Sequence, residues 1–163
     1  MKRNILIIIL GLIFTSTVLF SQNKIYDVNA DPMKQYTKAL ELAKMQNKHV
    51  LMQIGGNWCS WCIRFHDFYK NDSKLDSMVN ADYVVINVDY NPKNDMTLFA
   101  KLLFPQRFGF PVLVVTDAGG KLLHTQNSWY LEDSKKSYDR KKVESFFKNW
   151  TVRAINPENY IKK

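Results

Sequence analysis

The chain predicts an α/β layer fold: a central mixed sheet flanked by helices, with a terminal antiparallel hairpin. Three observations carry this. Strand-like and helix-like patterns alternate from residue 32 onward. The apolar run Val50-Leu51-Met52-Gln53-Ile54 feeds, after a short glycine turn, into Trp58-Cys59-Ser60-Trp61-Cys62, which opens a helix. Two more apolar runs follow, Val84-Val85-Ile86 and Val112-Leu113-Val114-Val115, and the second leads into the turn Asp117-Ala118-Gly119-Gly120.

Each element has a local reason. Residues 22–30 read as an extended arm. Asp31-Pro32 sets an N-cap followed by proline at the first helical position, where its missing N–H goes unneeded. Tyr36, Ala39, Leu40 and Ala43 form an apolar stripe, so the helix runs from Pro32 to Gln46 and ends at Asn47-Lys48. His49 to Ile54 is a short, largely buried strand, and Gly55-Gly56-Asn57 is a turn. Helix resumes from Ser60 to Tyr69, with Ile63, Phe65, Phe68 and Tyr69 as its bulk. Ser73 caps a short helix through Val79. Tyr83 to Val88 is a β-prone run, and Asp89 caps the turn after it. Asn94 caps a helix through Leu103. Phe108-Gly109-Phe110-Pro111 precedes a strand from Val112 to Val115, and Lys121 to Thr125 is its hairpin partner. Val143, Phe146, Phe147 and Trp150 fall at i, i+3, i+4 and i+7 and mark a last amphipathic helix. Residues 151–163 form a polar tail. No repeat or low-complexity linker appears, so residues 31–150 read as one domain.

The N-terminus carries a processing signal. Lys2 and Arg3 precede an apolar stretch over residues 5–20, and Ser21 is a small residue before a polar segment. Residues 1–21 therefore read as a secretory signal peptide cut between Ser21 and Gln22. The alternative is a membrane anchor through residues 5–20, although that run falls short of the ~20 residues that span comfortably. Export, to a bacterial periplasm, is the expected location. No cysteine follows the apolar run, which excludes lipid attachment there. The formal charge of +8 becomes +6 once Lys2 and Arg3 leave (8 − 2). The basic residues are scattered and no nucleic-acid motif is present, so a solvated surface is the reading.

Cys59 and Cys62 are the only cysteines among 163 residues. Two intervening residues let the sulfurs bond with little loop closure, and a helix N-terminus favours a thiolate on the first of them. A strand feeding such a pair is the arrangement of a dithiol/disulfide redox site. Removal of the signal leaves 142 residues (163 − 21), enough to bury a core without a staple. Export also places the thiols where disulfides persist. A structural disulfide and a metal pair therefore stay open beside the redox reading. A zinc site needs two further ligands, and His49, His66 and His124 lack the close spacing of one. No metal and no cofactor is expected.

With these residues in place, the chain resembles the thioredoxin superfamily. It is most similar to exported thioredoxin-like proteins and to soluble thiol-reductase domains of the bacterial envelope. The resemblance rests on Trp58-Cys59-Ser60-Trp61-Cys62 after an apolar strand, on Phe110-Pro111 leading into Val112 to Val115, and on the hairpin Asp117 to Lys121. It covers roughly residues 32–150. It implies that Cys59 is the attacking thiol and Cys62 the resolving thiol. It also implies that Pro111 is in cis beside the pair and that the backbone of Phe110 meets the substrate chain. The alternative is that Pro111 only starts a strand.

The physics agrees with that order of thiols. Cys59 sits at the open start of the helix, and Cys62 lies one turn in, where burial opposes ionisation. Trp58, Trp61, Phe110 and Pro111 form the expected substrate surface, shaped for an extended polypeptide. Ser60 and Trp61 are neither the Gly-Pro pair of thioredoxin nor the Pro-His pair of strong oxidases. Arg64 reads as a solvated residue and His66 as a surface or structural one. Many thioredoxins hold a buried acid six residues before the first cysteine; here that position is Gln53, which takes no proton. Gln53 is read as a hydrogen-bonded core amide. The resolving step then uses water, Cys59 or another group.

The expected activity is thiol-disulfide exchange on exported proteins, reduction ahead of oxidation or isomerisation. Its partners are protein disulfides or dithiols and a membrane thiol-transfer electron donor. The alternative is a thioredoxin-fold binding or chaperone module whose disulfide is only structural.

Overall fold

A computed structural model describes residues 24–93 and 95–161. The signal peptide read at residues 1–21 and the cap assigned to Asn94 lie outside the described residues.

The first helix, α1 (Pro32–Gln46), starts as its sequence dictates. The Asp31 carboxylate accepts from the N–H groups of Met33 and Lys34, and Asn47 ends the helix in the left-handed region at φ 52°. Such a cap is worth about 1 kcal/mol. Then come β1 (His49–Gly55), α2 (Ser60–Lys70), α3 (Ser73–Asp82), β2 (Tyr83–Asp89) and the short α4 (Thr97–Lys101). A 3-10 turn, Pro105–Phe108, leads to β3 (Val112–Thr116) and β4 (Leu122–Asn127). A second 3-10 turn, Ser128–Leu131, precedes α5 (Arg140–Asn149) and the single turn of α6 (Val152–Ile155).

The four strands lie in the order β2-β1-β3-β4. β1 runs parallel to β2 and antiparallel to β3, and β3 runs antiparallel to β4 with a register shift between Val115 and Thr116. The sheet is thus mixed and flanked by helices. β1 is buried along its whole length, which is why it reads as a continuous apolar run without alternation.

Alternate residues of the strands build two cores. Met52, Ile54, Val88, Val112 and Val114 pack with Tyr36, Ala39 and Ala43 of α1 and with Leu98 and Phe99 of α4. On the opposite face, Leu51, Leu113 and Val115 pack with Phe65 and Tyr69 of α2, Leu75 and Val79 of α3, and Val143, Phe146 and Phe147 of α5.

Several local expectations give way. Asp72, not Ser73, caps α3 through the N–H groups of Lys74 and Leu75, and the helix runs three residues past Val79, to Asp82. An ionised carboxylate is the stronger acceptor there. α4 starts at Thr97 and stops before Leu103 because Leu103 and Phe104 take positive φ values of 60° and 54°. Pro105 follows, and proline disfavours the helical region for the residue before it. β4 begins one residue later than Lys121 and continues to Asn127. Among the described residues Asp89 caps no turn: its carboxylate is buried, and Oδ1 has no hydrogen-bond partner. Beyond Trp150 the chain is not featureless, since Thr151 caps α6 through the N–H of Ala154. The arm before α1 is not extended throughout, because residues 27–30 close a turn with Ala30 N–H donating to the Asp27 carbonyl.

Candidate active site

Cys59 and Cys62 are joined in a disulfide with Cα atoms 5.2 Å apart, inside the range the bond tolerates. The placement follows from the chain path. β1 ends at Gly55, residues 56–58 turn, and Cys59 becomes the N-cap residue of α2, where its Sγ accepts from the Cys62 N–H at 3.1 Å. An N–H aimed at the first sulfur from the positive end of a helix favours that sulfur as a thiolate on reduction. Cys59 keeps 8% of its surface and Cys62 none. Both sulfurs are therefore largely shielded, and the order of exposure matches the expected order of attack.

Gly55 is required by close approach. A methyl group at that position would collide with Cys62 Sγ and stand 2.9 Å from the Tyr26 hydroxyl. Sequence reading took Gly55 only as part of a turn, while Tyr26 was passed over in the arm. Tyr26 is buried and forms one cluster with both cysteines. Its backbone N–H donates to Asn57 Oδ1 at 3.1 Å, and Asn57 Nδ2 donates back to its carbonyl at 2.9 Å. The arm is thereby tied to the turn that carries Cys59. Burial pushes the Tyr26 phenol well above its ordinary range, so it stays a neutral donor.

Gln53 is a buried core amide, as its type suggests. Its Nε2 donates to the Tyr26 hydroxyl at 2.6 Å and to the Cys62 carbonyl at 3.0 Å. Asp89 is the register partner of Gly55, and Asn87 that of Gln53. All four positions point to the face that carries α2, because side chains alternate along each strand. Burial raises the Asp89 carboxyl above the usual carboxylate range.

The aromatic residues expected at the site converge on the disulfide. Trp61 and Phe110 pack against the cysteines. Trp58 stands 62% exposed and meets Phe110 edge to face, 5.2 Å between centroids. The Phe110–Pro111 peptide is cis, and Pro111 is buried at the head of β3. Trp61 is half-buried. Its ring abuts Tyr138 at 5.5 Å, and its carbonyl accepts from the Tyr138 hydroxyl at 3.1 Å. Arg64 is exposed and lays its guanidinium 4.5 Å from the Trp61 ring centre. Ser60 and Arg64 open onto a cleft of about 660 Å³ along the outer side of α2 that neither sulfur lines.

The histidines lie apart. His49 donates through Nδ1 to the Trp150 carbonyl, His66 neighbours Asp67, and His124 stacks on Trp150. Trp129 and Tyr130 are exposed in the 3-10 turn after β4. Chemically, the arrangement offers one disulfide with a shielded inner sulfur, an outer sulfur at a helix start, and an aromatic rim.

Comparison with known proteins gives the same picture. The chain is 31% identical over 100 residues to the disulfide bond reductase DsbH of Chlamydia pneumoniae, covering 55% of this chain and 58% of that protein. It thus spans about three-fifths of the length of the curated relative it matches. The crystal structure of a disulphide isomerase from Xylella fastidiosa Temecula1 superposes with a TM-score of 0.65 at 27% identity, over 76% of this chain and 94% of that one. The fold is therefore thioredoxin-like. The family model described as Thioredox_DsbH, protein of unknown function, DUF255, matches residues 17–154, and this chain belongs to that family.

Proposed function

We propose that this protein is a thiol-disulfide oxidoreductase that reduces disulfides in exported proteins through the Cys59–Cys62 pair. One observation carries the reading: a disulfide at the start of α2 whose first cysteine keeps a small exposure while the second is sealed, with Phe110 packed against the pair. Similarity to a protein named a disulfide bond reductase supports the direction.

In this reading Cys59 attacks a substrate disulfide and forms a mixed disulfide. Cys62 then attacks Cys59, releases the reduced substrate and closes the internal bond. Trp58, Trp61, Phe110 and Pro111 form the surface on which an extended polypeptide lies. Residues 1–21 direct export, or residues 5–20 remain as an anchor, and a membrane thiol-transfer protein supplies electrons. The apolar and aromatic rim suits an unfolded or extended chain better than a small polar thiol.

The test equilibrates the protein with graded thiol/disulfide buffers and counts free thiols by alkylation and mass. A midpoint near about −270 mV supports a reductase. The resemblance to a structure named a disulphide isomerase makes isomerisation the second reading, and a midpoint near about −180 mV favours it. A pair that fails to exchange over hours would leave a binding module with a structural disulfide. The Cys62→Ser variant is expected to accumulate the mixed disulfide; normal turnover by that variant would overturn the assignment of roles.

A further inference from the structure

We propose that Tyr26, carried by the arm before α1, belongs to the redox centre: its hydroxyl is the hydrogen-bond donor to the Cys62 sulfur when that sulfur becomes a thiolate. The inference rests on the reading of Cys59–Cys62 as a redox pair.

The geometry is specific. Gly55 has no side chain, and the space beside it holds both Cys62 Sγ and the Tyr26 hydroxyl as neighbours. Gln53 Nε2 donates to the Tyr26 oxygen at 2.6 Å. The phenol's own proton is thus not spent on Gln53 and stands available to the sulfur beside it. The paired hydrogen bonds between the Asn57 side chain and the Tyr26 backbone fix the segment that carries the ring. Cys62 is wholly buried and its backbone carbonyl is already engaged by Gln53, so the thiolate needs a donor from the protein. The side chain bonded to that carbonyl is the Gln53 amide, which cannot exchange a proton. A fixed neutral donor meets the same need differently. It stabilises the thiolate as it forms without taking the proton itself.

The step balances as follows. In the mixed disulfide Cys62 gives its proton to water, and the Tyr26 hydroxyl donates to the resulting thiolate. That thiolate attacks Cys59 Sγ; the Cys59–Cys62 bond forms and the bond from Cys59 to the substrate sulfur breaks. The electron pair leaves on the substrate sulfur, which is then protonated from water. The two cysteines are oxidised and the substrate disulfide is reduced. Titratable groups near the phenol are Asp89 of β2, Tyr69 of α2, Tyr138 before α5 and the two cysteines.

The test is the near-isosteric Tyr26→Phe variant, followed by stopped-flow tryptophan fluorescence with a peptide disulfide. Attack by Cys59 is measured separately in a Cys62→Ser background. The first step is expected to be unchanged and the second to slow about tenfold at neutral pH. That deficit closes at alkaline pH, where Cys62 ionises unaided. Equal slowing of both steps, or none, would overturn the proposal. If the wild type itself leaves the peptide oxidised, the functional reading fails instead. A measurement on the reduced wild type needs no variant: the Tyr26 ring carbon bearing the hydroxyl should shift with the same midpoint as Cys62. A Tyr26 signal indifferent to Cys62 titration would also reject it.

Discussion

The Trp58 indole meets the Phe110 ring edge to face, with 5.2 Å between centroids and 89° between planes. Phe110 in turn tilts against Tyr90 at 5.0 Å, and Tyr90 abuts Phe99 in the core at 5.4 Å. An exposed indole is thus anchored to the interior by a chain of rings. If this rim holds the substrate, Trp58→Ala lowers kcat/KM for a peptide disulfide by about three- to tenfold. A small-molecule disulfide is affected less, and folding stability changes by less than about 1 kcal/mol because the indole is mostly in water. Steady-state kinetics on the two substrates check this; equal losses would remove Trp58 from the substrate surface.

Gly55→Ala tests the contact between strand and disulfide. The added methyl group strikes Cys62 Sγ and approaches the Tyr26 hydroxyl to 2.9 Å. Neither neighbour is a free chain end, so relief requires movement of α2 or of the arm. The expected loss is about 1–3 kcal/mol in urea denaturation of the oxidised protein. Gly109→Ala is a contrasting case: a Cβ there meets nothing within 4 Å, and the cost comes only from the φ of 86°.

Asp89 makes stability depend on pH in a defined direction. Burial raises its folded-state value above that of the unfolded chain. Its contribution is therefore fully present below the ordinary carboxylate range and is lost as pH rises through the raised value. Asp89→Asn removes this dependence. Relative to wild type, the variant gains stability as pH rises from acid to neutral. Denaturation curves at several pH values check the sign; a variant that loses ground toward neutrality would mean that the charged form of Asp89 has a partner.

Asp72 acts in the opposite direction. Its hydrogen bond to Arg140, followed by those from the α3 backbone, holds its carboxyl below the usual range. Arg140 Nε donates to Asp72 Oδ2 at 2.7 Å, linking α3 to α5. The stability from this group is present above the unfolded carboxylate value and is lost as pH falls through the lowered folded value. Asp72→Asn keeps a capping side chain but loses the charge. It is expected to lower the melting temperature slightly at neutral pH and not in acid. Salt weakens the effect because the pair faces solvent.

Local chemistry made much of the architecture legible. Asp31-Pro32 and Asn47 bound α1 through interactions that span only a few residues. Continuous apolar runs identify β1 and β3 as buried strands. Val143, Phe146 and Phe147 mark the inner face of α5 by their spacing alone. The boundaries that were misplaced depend on competition between near-equal local options, such as Asp72 against Ser73 as a cap, or on the left-handed pair Leu103-Phe104 that ends α4.

By itself the sequence determined the layer class, the order of most elements and the two cysteines at a helix start, because these rest on periodicity and short spacings. Only the tertiary structure decided what stands behind the inner sulfur. Tyr26 lies 27 residues from Gln53 and 31 from Asn57, in a segment with no periodicity, and nothing local shows that its hydroxyl reaches the space left by Gly55. Asp89 likewise looks like an ordinary strand-ending residue until its register with Gly55 turns it toward the α2 face. Such pairings are set by the register of β1 on β2 and by the packing of the arm over both, and those are properties of distant segments meeting.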